Sequence, residues 1–309
     1  MDILQKLSNC SYEEIEDIVK EEVRKQNNAS QDVNLGIIGG SLMRRPHKGF
    51  ISKKSKIKFS SNTLGVDSYN MDSEDYIIDF AKIVFNCKLD SKGLIIQNLA
   101  TFINQYFGEL ESLEDKRSDF LTSRCRLDEE GFALEEDEEN ISIEDFKGVK
   151  LAQCTEKAAI TQNILSLFGF ESYFCCGAVK TDSSEEFHSF NVVAGKNKTG
   201  ETVYRVVDTS LQVPVYNANG VERYRRPYVA TIPTEDFQDF IDGKKSLSFS
   251  DYIVTSEGTQ HQGTRYYGIN MDAKELIDLR YGENDSASID ESINGKIKWR
   301  IIDIKIDTY

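Results

Sequence analysis

Cys154, His188 and Asp208 belong to the three residue types that cooperate in thiol-dependent acyl transfer, and they occur in that order along the chain. In such chemistry a cysteine thiolate is the nucleophile, a histidine takes up the thiol proton, and a carboxylate orients the imidazole and stabilises its charged form. Taken alone, a cysteine or a histidine is more often a structural residue. The placement of all three residues makes cysteine-based acyl transfer the leading hypothesis.

Cys154 precedes an apolar stretch with helical spacing, which contains Ile160 and Ile164 and ends at Gly169. This pattern predicts a buried helix with a glycine at its C-terminal end. In the first turn of that helix, unpaired backbone N–H groups and the positive end of the helix dipole would stabilise a thiolate and lower the pKa of the thiol. We therefore expect Cys154 to be the nucleophile.

His188 and Asp208 lie in two strand-like segments, 187–193 and 202–208, which flank turn residues at 195–201. A turn centred on Lys198 places His188 directly opposite Asp208, where side chains are roughly 4.5–5.5 Å apart at Cβ. The same register pairs Phe190 with Val206 and Val192 with Tyr204. A one-residue bulge would turn one of the two functional side chains to the other face of the sheet.

Two other roles for these residue types are open. A metal site could be built from Cys154, Cys175 or Cys176 together with His188, but no C-x-x-C or H-x-x-x-H spacing supports it, so it ranks below the nucleophile hypothesis. His261 is an alternative base if the register around His188 is wrong, although its surroundings are polar and loop-like.

The segment from Cys154 to Thr209 resembles the core of the transglutaminase-like superfamily, whose members share a papain-like Cys-His-Asp arrangement. The matching features are Cys154-Thr155-Glu156-Lys157-Ala158, Leu167-Phe168-Gly169-Phe170, Gly177, His188-Ser189-Phe190 and Val207-Asp208-Thr209. The resemblance departs from the usual pattern at Phe190, where tryptophan is commoner, and at Ser210, near which a proline is frequent. Arylamine N-acetyltransferases also use these three residue types, but their arginine and paired glycines before the cysteine are missing here.

The three residues imply a mechanism. His188 would take the thiol proton or form an ion pair with Cys154, Asp208 would fix the imidazole tautomer, and the thiolate would attack a carbonyl to form a thioester. The backbone N–H of Cys154 is the first expected donor to the oxyanion. Gln153 is the candidate for the second oxyanion-hole donor, because its side-chain amide can donate a hydrogen bond.

The order of the elements predicts an α+β fold with a papain-like, transglutaminase-like core, in which the nucleophile helix packs against an antiparallel β-sheet. Apolar spacing predicts helices at Tyr76–Phe85, Leu94–Phe107 and Glu235–Ile241, and strands follow Tyr173. We divide the chain into an N-terminal helix and basic extension, 1–70, and a catalytic core, 71–309. The first part opens with a capping box at Ser11, and the second ends in a β-rich part with a bulged strand from Ile297 to Ile306.

The formal net charge of −15 argues against non-specific binding to nucleic acid or to an anionic membrane, which require a basic surface. A dense acidic run extends from Asp128 to Asp145, and a solvated loop explains it best; a gate or a recognition strip for basic substrates beside the active site is the sharper alternative. A basic stretch from Arg44 to Lys58 could pair with this run or contact an acidic partner.

No cofactor and no metal are expected. The acidic segment Asp285–Glu291 lacks the ligand spacing and the glycine of an EF-hand loop, so it predicts no calcium site. Six cysteines without regular spacing do not indicate a disulfide framework, and we find no signal-peptide core or membrane-spanning run. These features predict a cytoplasmic protein, although export without a cleaved signal stays open. A protein or peptide substrate is expected, and the oligomeric state is open.

Three functions remain after these observations. The first is a thiol hydrolase, either a protease or an amidase, with water as the acyl acceptor. The second is a transglutaminase or another acyltransferase that passes the acyl group to an amine. The third is a catalytically inactive binding scaffold, in which the three residues are incidental.

Overall fold

The structure is a computed structural model, and it describes residues 2–35, 46–63, 66–108, 114–124, 129, 141–180, 185–196, 199–216, 222–232, 234–242, 244, 260–261 and 264–265. Most of the predicted acidic loop 128–145 lies outside the described residues. So do the end of the predicted β-rich part and its bulged strand from Ile297 to Ile306. The segment Asp285–Glu291 lies outside them as well.

Five of the described helices occur where the sequence predicts them, and two, the first and the fifth along the chain, were not predicted. The helices are α1 (Ile3–Ser8), α2 (Ile15–Ala29), α3 (Asp75–Cys87), α4 (Lys92–Phe107), α5 (Glu114–Arg124), α6 (Cys154–Leu167) and α7 (Thr234–Ile241). The predicted capping box at Ser11 is confirmed, and it opens a short 3₁₀ turn that leads into α2. The three helices predicted from spacing alone correspond to α3, α4 and α7.

The strands form antiparallel sheets with one parallel pair. They are β1 (Asn34–Leu35), β2 (His47–Lys48), β3 (Lys56–Thr63), β4 (Val66–Asn70), β5 (Glu171–Lys180), β6 (Glu185–Lys196), β7 (Thr202–Tyr216), β8 (Glu222–Ile232), β9 (Gln260–His261) and β10 (Thr264–Arg265). The largest sheet has the order β2-β5-β6-β7-β8 and is antiparallel throughout. The order β1-β3-β4 forms a second sheet, and β9 pairs with β10. The α+β class is therefore confirmed.

The register between β6 and β7 differs from the predicted one. Val192 lies opposite Val206 and Ala194 opposite Tyr204, so the register is displaced by two residues and His188 is not directly opposite Asp208. β6 continues to Lys196, which pairs with Thr202, so the ladder is centred on Thr199 instead of on Lys198. Because side chains alternate with a period of two, a displacement of two residues keeps both functional side chains on the same face.

The helix α6, which begins at Cys154, is buried along its whole length. Phe168, which follows the last turn of the helix, packs against an aromatic cluster. The ring centroid of Phe80 in α3 lies 5.7 Å from that of Phe168 and 5.1 Å from that of Phe102 in α4. Edge-on and tilted rings at these distances stabilise a core beyond their area burial. Residues of α2, including Ile15 and Val19, belong to the same hydrophobic cluster, so the N-terminal helix contributes to the core.

Buried carboxamides fix the position of α6 on the sheet. Asn191 of β6 donates to the carbonyl of Ala158 at 3.0 Å and to Gln162 at 3.1 Å. Gln162 in turn donates to the carbonyls of Ser172 and Gly49. These bonds are directional, whereas apolar contacts alone would let the helix slide or rotate, so they set where the first turn of α6 meets β6.

The other face of the large sheet is covered by α7. Phe237 and Phe240 of this helix pack with Tyr173 and Tyr204, and the centroids of the Tyr204 and Phe237 rings are 4.5 Å apart. Helices on both faces bury the central strands, which explains their long apolar runs. Among the described helices, none has the length and apolarity needed to cross a membrane.

Candidate active site

Cys154 is the first residue of α6, and the chain that leads to it is held against the end of α4. The backbone N–H of Ala152 donates to the carbonyl of Phe107 at 3.0 Å. Gly108 lies so close to this segment that a Cβ at its position would be 2.0 Å from the carbonyl oxygen of Lys150, and its φ of 105° also requires glycine. The prediction that Cys154 occupies the first turn of a buried helix is confirmed.

The first turn of α6 presents backbone N–H groups at the thiol. The first hydrogen bond of the helix runs from the N–H of Lys157 to the carbonyl of Gln153, so the N–H of Cys154 has no partner within the helix. Gln153 is the N-cap residue and forms a capping box with Glu156, whose carboxylate accepts the Gln153 N–H at 2.6 Å. Gln153 therefore directly precedes Cys154, and its role as an oxyanion donor stays a prediction.

Arg117 of α5 and Glu156 of α6 form a buried ion pair beside this turn. The two N···O distances are 2.8 and 3.3 Å, and the side chains are 4% and 0% exposed. Arg117 also donates to the carbonyl of Leu151 at 2.6 Å, so it holds both the helix and the segment before it. The sequence analysis missed Arg117, because 39 positions separate it from Glu156 and no local pattern relates them.

His188 and Asp208 meet where β6 and β7 separate. The ladder between these strands ends at Asn191 and Val207, while β6 remains paired with β5 and β7 with β8. Nε2 of His188 lies 2.5 Å from a carboxylate oxygen of Asp208. The predicted contact between the imidazole and the carboxylate is therefore present, although it is diagonal instead of directly across the ladder.

The thiol of Cys154 is a hydrogen-bonding partner of His188 and of the backbone N–H of Ser189. Because Nε2 of the imidazole faces Asp208, Nδ1 is the nitrogen left for the sulfur. The three residues singled out from the sequence are thus brought together in the series thiol, imidazole and carboxylate. This arrangement suits proton transfer between the thiol and the ring.

Burial and charge act in opposite directions on the pKa of Cys154. Burial raises it, but the hydrogen bond and charge of His188 and the N–H of Ser189 together outweigh burial, so the pKa of the thiol lies below its ordinary value. Burial likewise lowers the pKa of His188, yet the carboxylate of Asp208 and the contact with Cys154 raise it to about 10. At neutral pH His188 is therefore an imidazolium, and its positive charge favours the thiolate form of Cys154.

Neighbouring cysteines do not share this environment. Burial raises the pKa of Cys175 well above its usual value, and that side chain packs in the cluster on the α7 face of the sheet. Cys176 lies on the α6 face instead, with its sulfur 3.4 Å from the hydroxyl of Ser189. Within the described part of the chain, no group of three or more His, Cys, Asp or Glu side chains is placed to hold a metal ion. The alternative metal site is therefore not assembled.

Asp208 is the most shielded of the three residues, since it is 1% exposed, whereas Cys154 is 9% exposed and the side chain of His188 is 11% exposed. A substrate carbonyl can therefore approach the sulfur and one edge of the ring, while the carboxylate stays shielded from water. Shielding strengthens its attraction for the imidazolium. His261 belongs to β9, and its use as an alternative base stays a prediction.

Tyr69 of β4 is a second residue that the sequence analysis missed. Its side chain is fully buried, and burial together with the negative charges of Glu156 and Cys154 raises the pKa of its hydroxyl well above the usual range. The hydroxyl therefore keeps its proton beside the candidate site. The alternating pattern of a short strand carries no signal for this proximity.

No protein-family model matches the chain, and neither the comparison with curated proteins nor that with solved structures finds a similar protein.

We predict that the Arg117–Glu156 pair is strongly coupled. Arg117→Met and Glu156→Met should each lower the free energy of unfolding by about 3–5 kcal/mol, because each leaves the other charge buried without its partner. The double variant should lose much less than the sum of the two, as measured by urea denaturation. The exposed Glu16–Lys20 pair is the control, and Glu16→Gln should change stability little. Additive losses for Arg117 and Glu156 would contradict the coupling.

We also predict that Cys154 reacts with iodoacetamide at a pH well below the ordinary pKa of a thiol. A lowered thiol pKa means that the reactive thiolate persists as the pH falls, so the midpoint of the rate profile shifts to lower pH. His188→Ala should move that midpoint upward, whereas the control His47→Ala, which removes a ring bonded to Phe50, should not. Peptide mass spectrometry measures the rate at each cysteine. The same alkylation midpoint at Cys154 in the unaltered protein and in His188→Ala would contradict the ion pair.

Proposed function

We propose that this protein is a cysteine-dependent acyl-transfer enzyme, a thiol hydrolase of the protease or amidase type that works through a thioester on Cys154. The observation that carries the proposal is the hydrogen-bonded series of Cys154, His188 and Asp208, with the sulfur at the start of a helix. The lowered pKa of this thiol, in contrast to the raised pKa of Cys175, supports the proposal, because the pKa values of catalytic groups are shifted toward the values that their reactions require.

The proposed reaction begins with the thiolate of Cys154 attacking the carbonyl carbon of an amide or ester. The negative charge moves to the carbonyl oxygen, where the backbone N–H of Cys154 donates a hydrogen bond and Gln153 is the candidate second donor. His188 then gives its Nδ1 proton to the departing nitrogen or oxygen, the carbon to leaving-group bond breaks, and a thioester remains.

Water resolves the thioester in the second half of the reaction. His188, now neutral, takes a proton from the water molecule, the resulting hydroxide attacks the thioester, and the thiolate leaves. The imidazolium and the thiolate are thereby restored together. Asp208 keeps the ring in the tautomer with Nε2 protonated and stabilises its positive charge without changing its own protonation.

We also infer a papain-like, transglutaminase-like core for this chain. The support is the layout of the site, in which α6 begins at the cysteine and packs on a sheet whose strands β6 and β7 carry the histidine and the aspartate in chain order. The aminolysis chemistry of a transglutaminase uses the same thioester, and only the acceptor differs. The expected substrate is a protein or peptide, because an amide carbonyl needs the activated thiol that this site supplies.

We predict that p-nitrophenyl acetate acylates Cys154 in a burst of about one equivalent of p-nitrophenolate, followed by slower turnover. Cys154→Ala should abolish the burst while the protein stays folded, and Cys175→Ala should keep it. Asp208→Ala should acylate roughly 10²–10⁴-fold more slowly, because the ring loses its orienting charge.

Intact mass spectrometry and stopped-flow absorbance measure these outcomes. Added methylamine distinguishes the acceptors, since N-methylacetamide in excess of the amount formed with Cys154→Ala shows that an amine resolves the thioester. An undiminished burst in Cys154→Ala would overturn the proposal, and the absence of a burst in the unaltered protein would favour a binding scaffold.

A further inference from the structure

A bulge in β7 follows directly after Asp208. Asp208 lies opposite Tyr228 of β8, but the next paired residue of β7 is Gln212, opposite Pro227, so residues 209–211 are extra residues without partners in the ladder. A bulge frees backbone groups from the sheet and re-aims the side chains within it. Here it lies at the point where β7 has also lost its pairing with β6.

Ser210, in the middle of this bulge, makes two hydrogen bonds to one oxygen of the carboxylate. Its backbone N–H donates to Oδ1 of Asp208 at 3.0 Å and its hydroxyl donates to the same oxygen at 2.6 Å. The other oxygen, Oδ2, contacts Nε2 of His188. Ser210 is 2% exposed, so both bonds are shielded from water and are strengthened by the low local dielectric.

The bulge is itself attached to the nucleophile helix. The hydroxyl of Thr209 lies 2.8 Å from the hydroxyl of Thr161 in α6. Thr209 and Ser210 therefore project to opposite faces of the sheet, one toward α6 and the other toward the imidazole, as alternation along a strand requires. The Asp208 carboxylate is thus held from the same segment that contacts α6.

We propose that Ser210 is a positioning residue, which holds the Asp208 carboxylate in the rotation that aims Oδ2 at the imidazole; this inference rests on the proposed function. The terminal torsion of an aspartate is broad, so a carboxylate without fixed partners samples many orientations. Two donors on Oδ1 remove that freedom. They also favour the ionised form of the carboxylate, which is the form that stabilises an imidazolium.

Ser210 also approaches the ring itself. Its hydroxyl oxygen is 3.4 Å from Nε2 of His188, and because its proton is given to Asp208, a lone pair is directed toward the N–H of the ring. Other groups that face this imidazole, within the described part of the chain, include the carboxylate of Asp208, the sulfur of Cys154 and the parallel ring of Phe190, whose centroid is 6.4 Å away. Of the residues around the ring, Ser210 is the uncharged one that donates hydrogen bonds to the Asp208 carboxylate.

The test compares Ser210→Ala with Ser210→Thr by the pH profile of iodoacetamide alkylation at Cys154. Ser210→Ala removes the hydroxyl donor and keeps the backbone donor, so we expect the midpoint to rise by about half a pH unit, which is about a threefold slower reaction below the midpoint. Ser210→Thr keeps a hydroxyl and should restore the profile. Ser172→Ala is the matched control, because it removes a buried serine hydroxyl that binds Gln162, and its midpoint should not move.

The outcomes separate this inference from the proposed function. If the unaltered protein has a low midpoint and Ser210→Ala leaves it unchanged, Ser210 is only a structural residue of the bulge and the inference is overturned. If the unaltered protein already has an ordinary thiol midpoint, the proposed function fails. Circular dichroism and thermal unfolding verify that each variant is folded, and if Ser210→Thr does not fold, the comparison of Ser210→Ala with Ser172→Ala decides the question.

Discussion

The separation of β6 from β7 beyond Asn191 and Val207 is the constraint on which the candidate site depends. Each strand keeps its outer partner, β5 or β8, so the sheet stays intact while its centre opens. Because the strands separate, the backbone N–H of Ser189 donates to the sulfur of Cys154 instead of to a neighbouring strand. The opening also leaves room for a side-chain contact between the two strands, the one that joins His188 to Asp208. A continuous ladder would use these groups for sheet pairing and exclude the helix terminus.

The chemistry at Cys154 then depends on which of two opposing effects is larger. Burial disfavours a thiolate, and at Cys175, where no cation compensates, it raises the pKa of the thiol well above the ordinary value. At Cys154 the imidazolium and one backbone donor reverse the direction of the pKa shift. Each pKa unit corresponds to about 1.4 kcal/mol between the two protonation states, which is the scale of one charge-assisted hydrogen bond. The reactive state therefore depends on a few directed contacts, and the capping box and the Arg117 ion pair keep the helix start in place for them.

Local sequence patterns predict the parts of this site that depend on neighbouring residues. The helical spacing after Cys154 places this residue at a helix start, and alternation along two strands puts His188 and Asp208 on one face even though the observed register differs from the predicted one by two residues. Contacts between distant segments leave no such signal. Arg117 reaches the nucleophile helix from another helix, and Ser210 acts through a bulge, whose extra residues cannot be read from an alternating pattern.

The most direct test of the ion pair is the protonation state of His188, measured by nitrogen-15 NMR across a pH series. The chain has three histidines, so the imidazole signals can be assigned with single substitutions. The structure predicts that His188 is an imidazolium at neutral pH and loses its proton with a pKa of about 10. In Cys154→Ala the pKa of His188 should be lower, because no thiolate then favours the charged ring. A neutral His188 at pH 7, with a midpoint near the ordinary 6.5 or below it, would contradict the account.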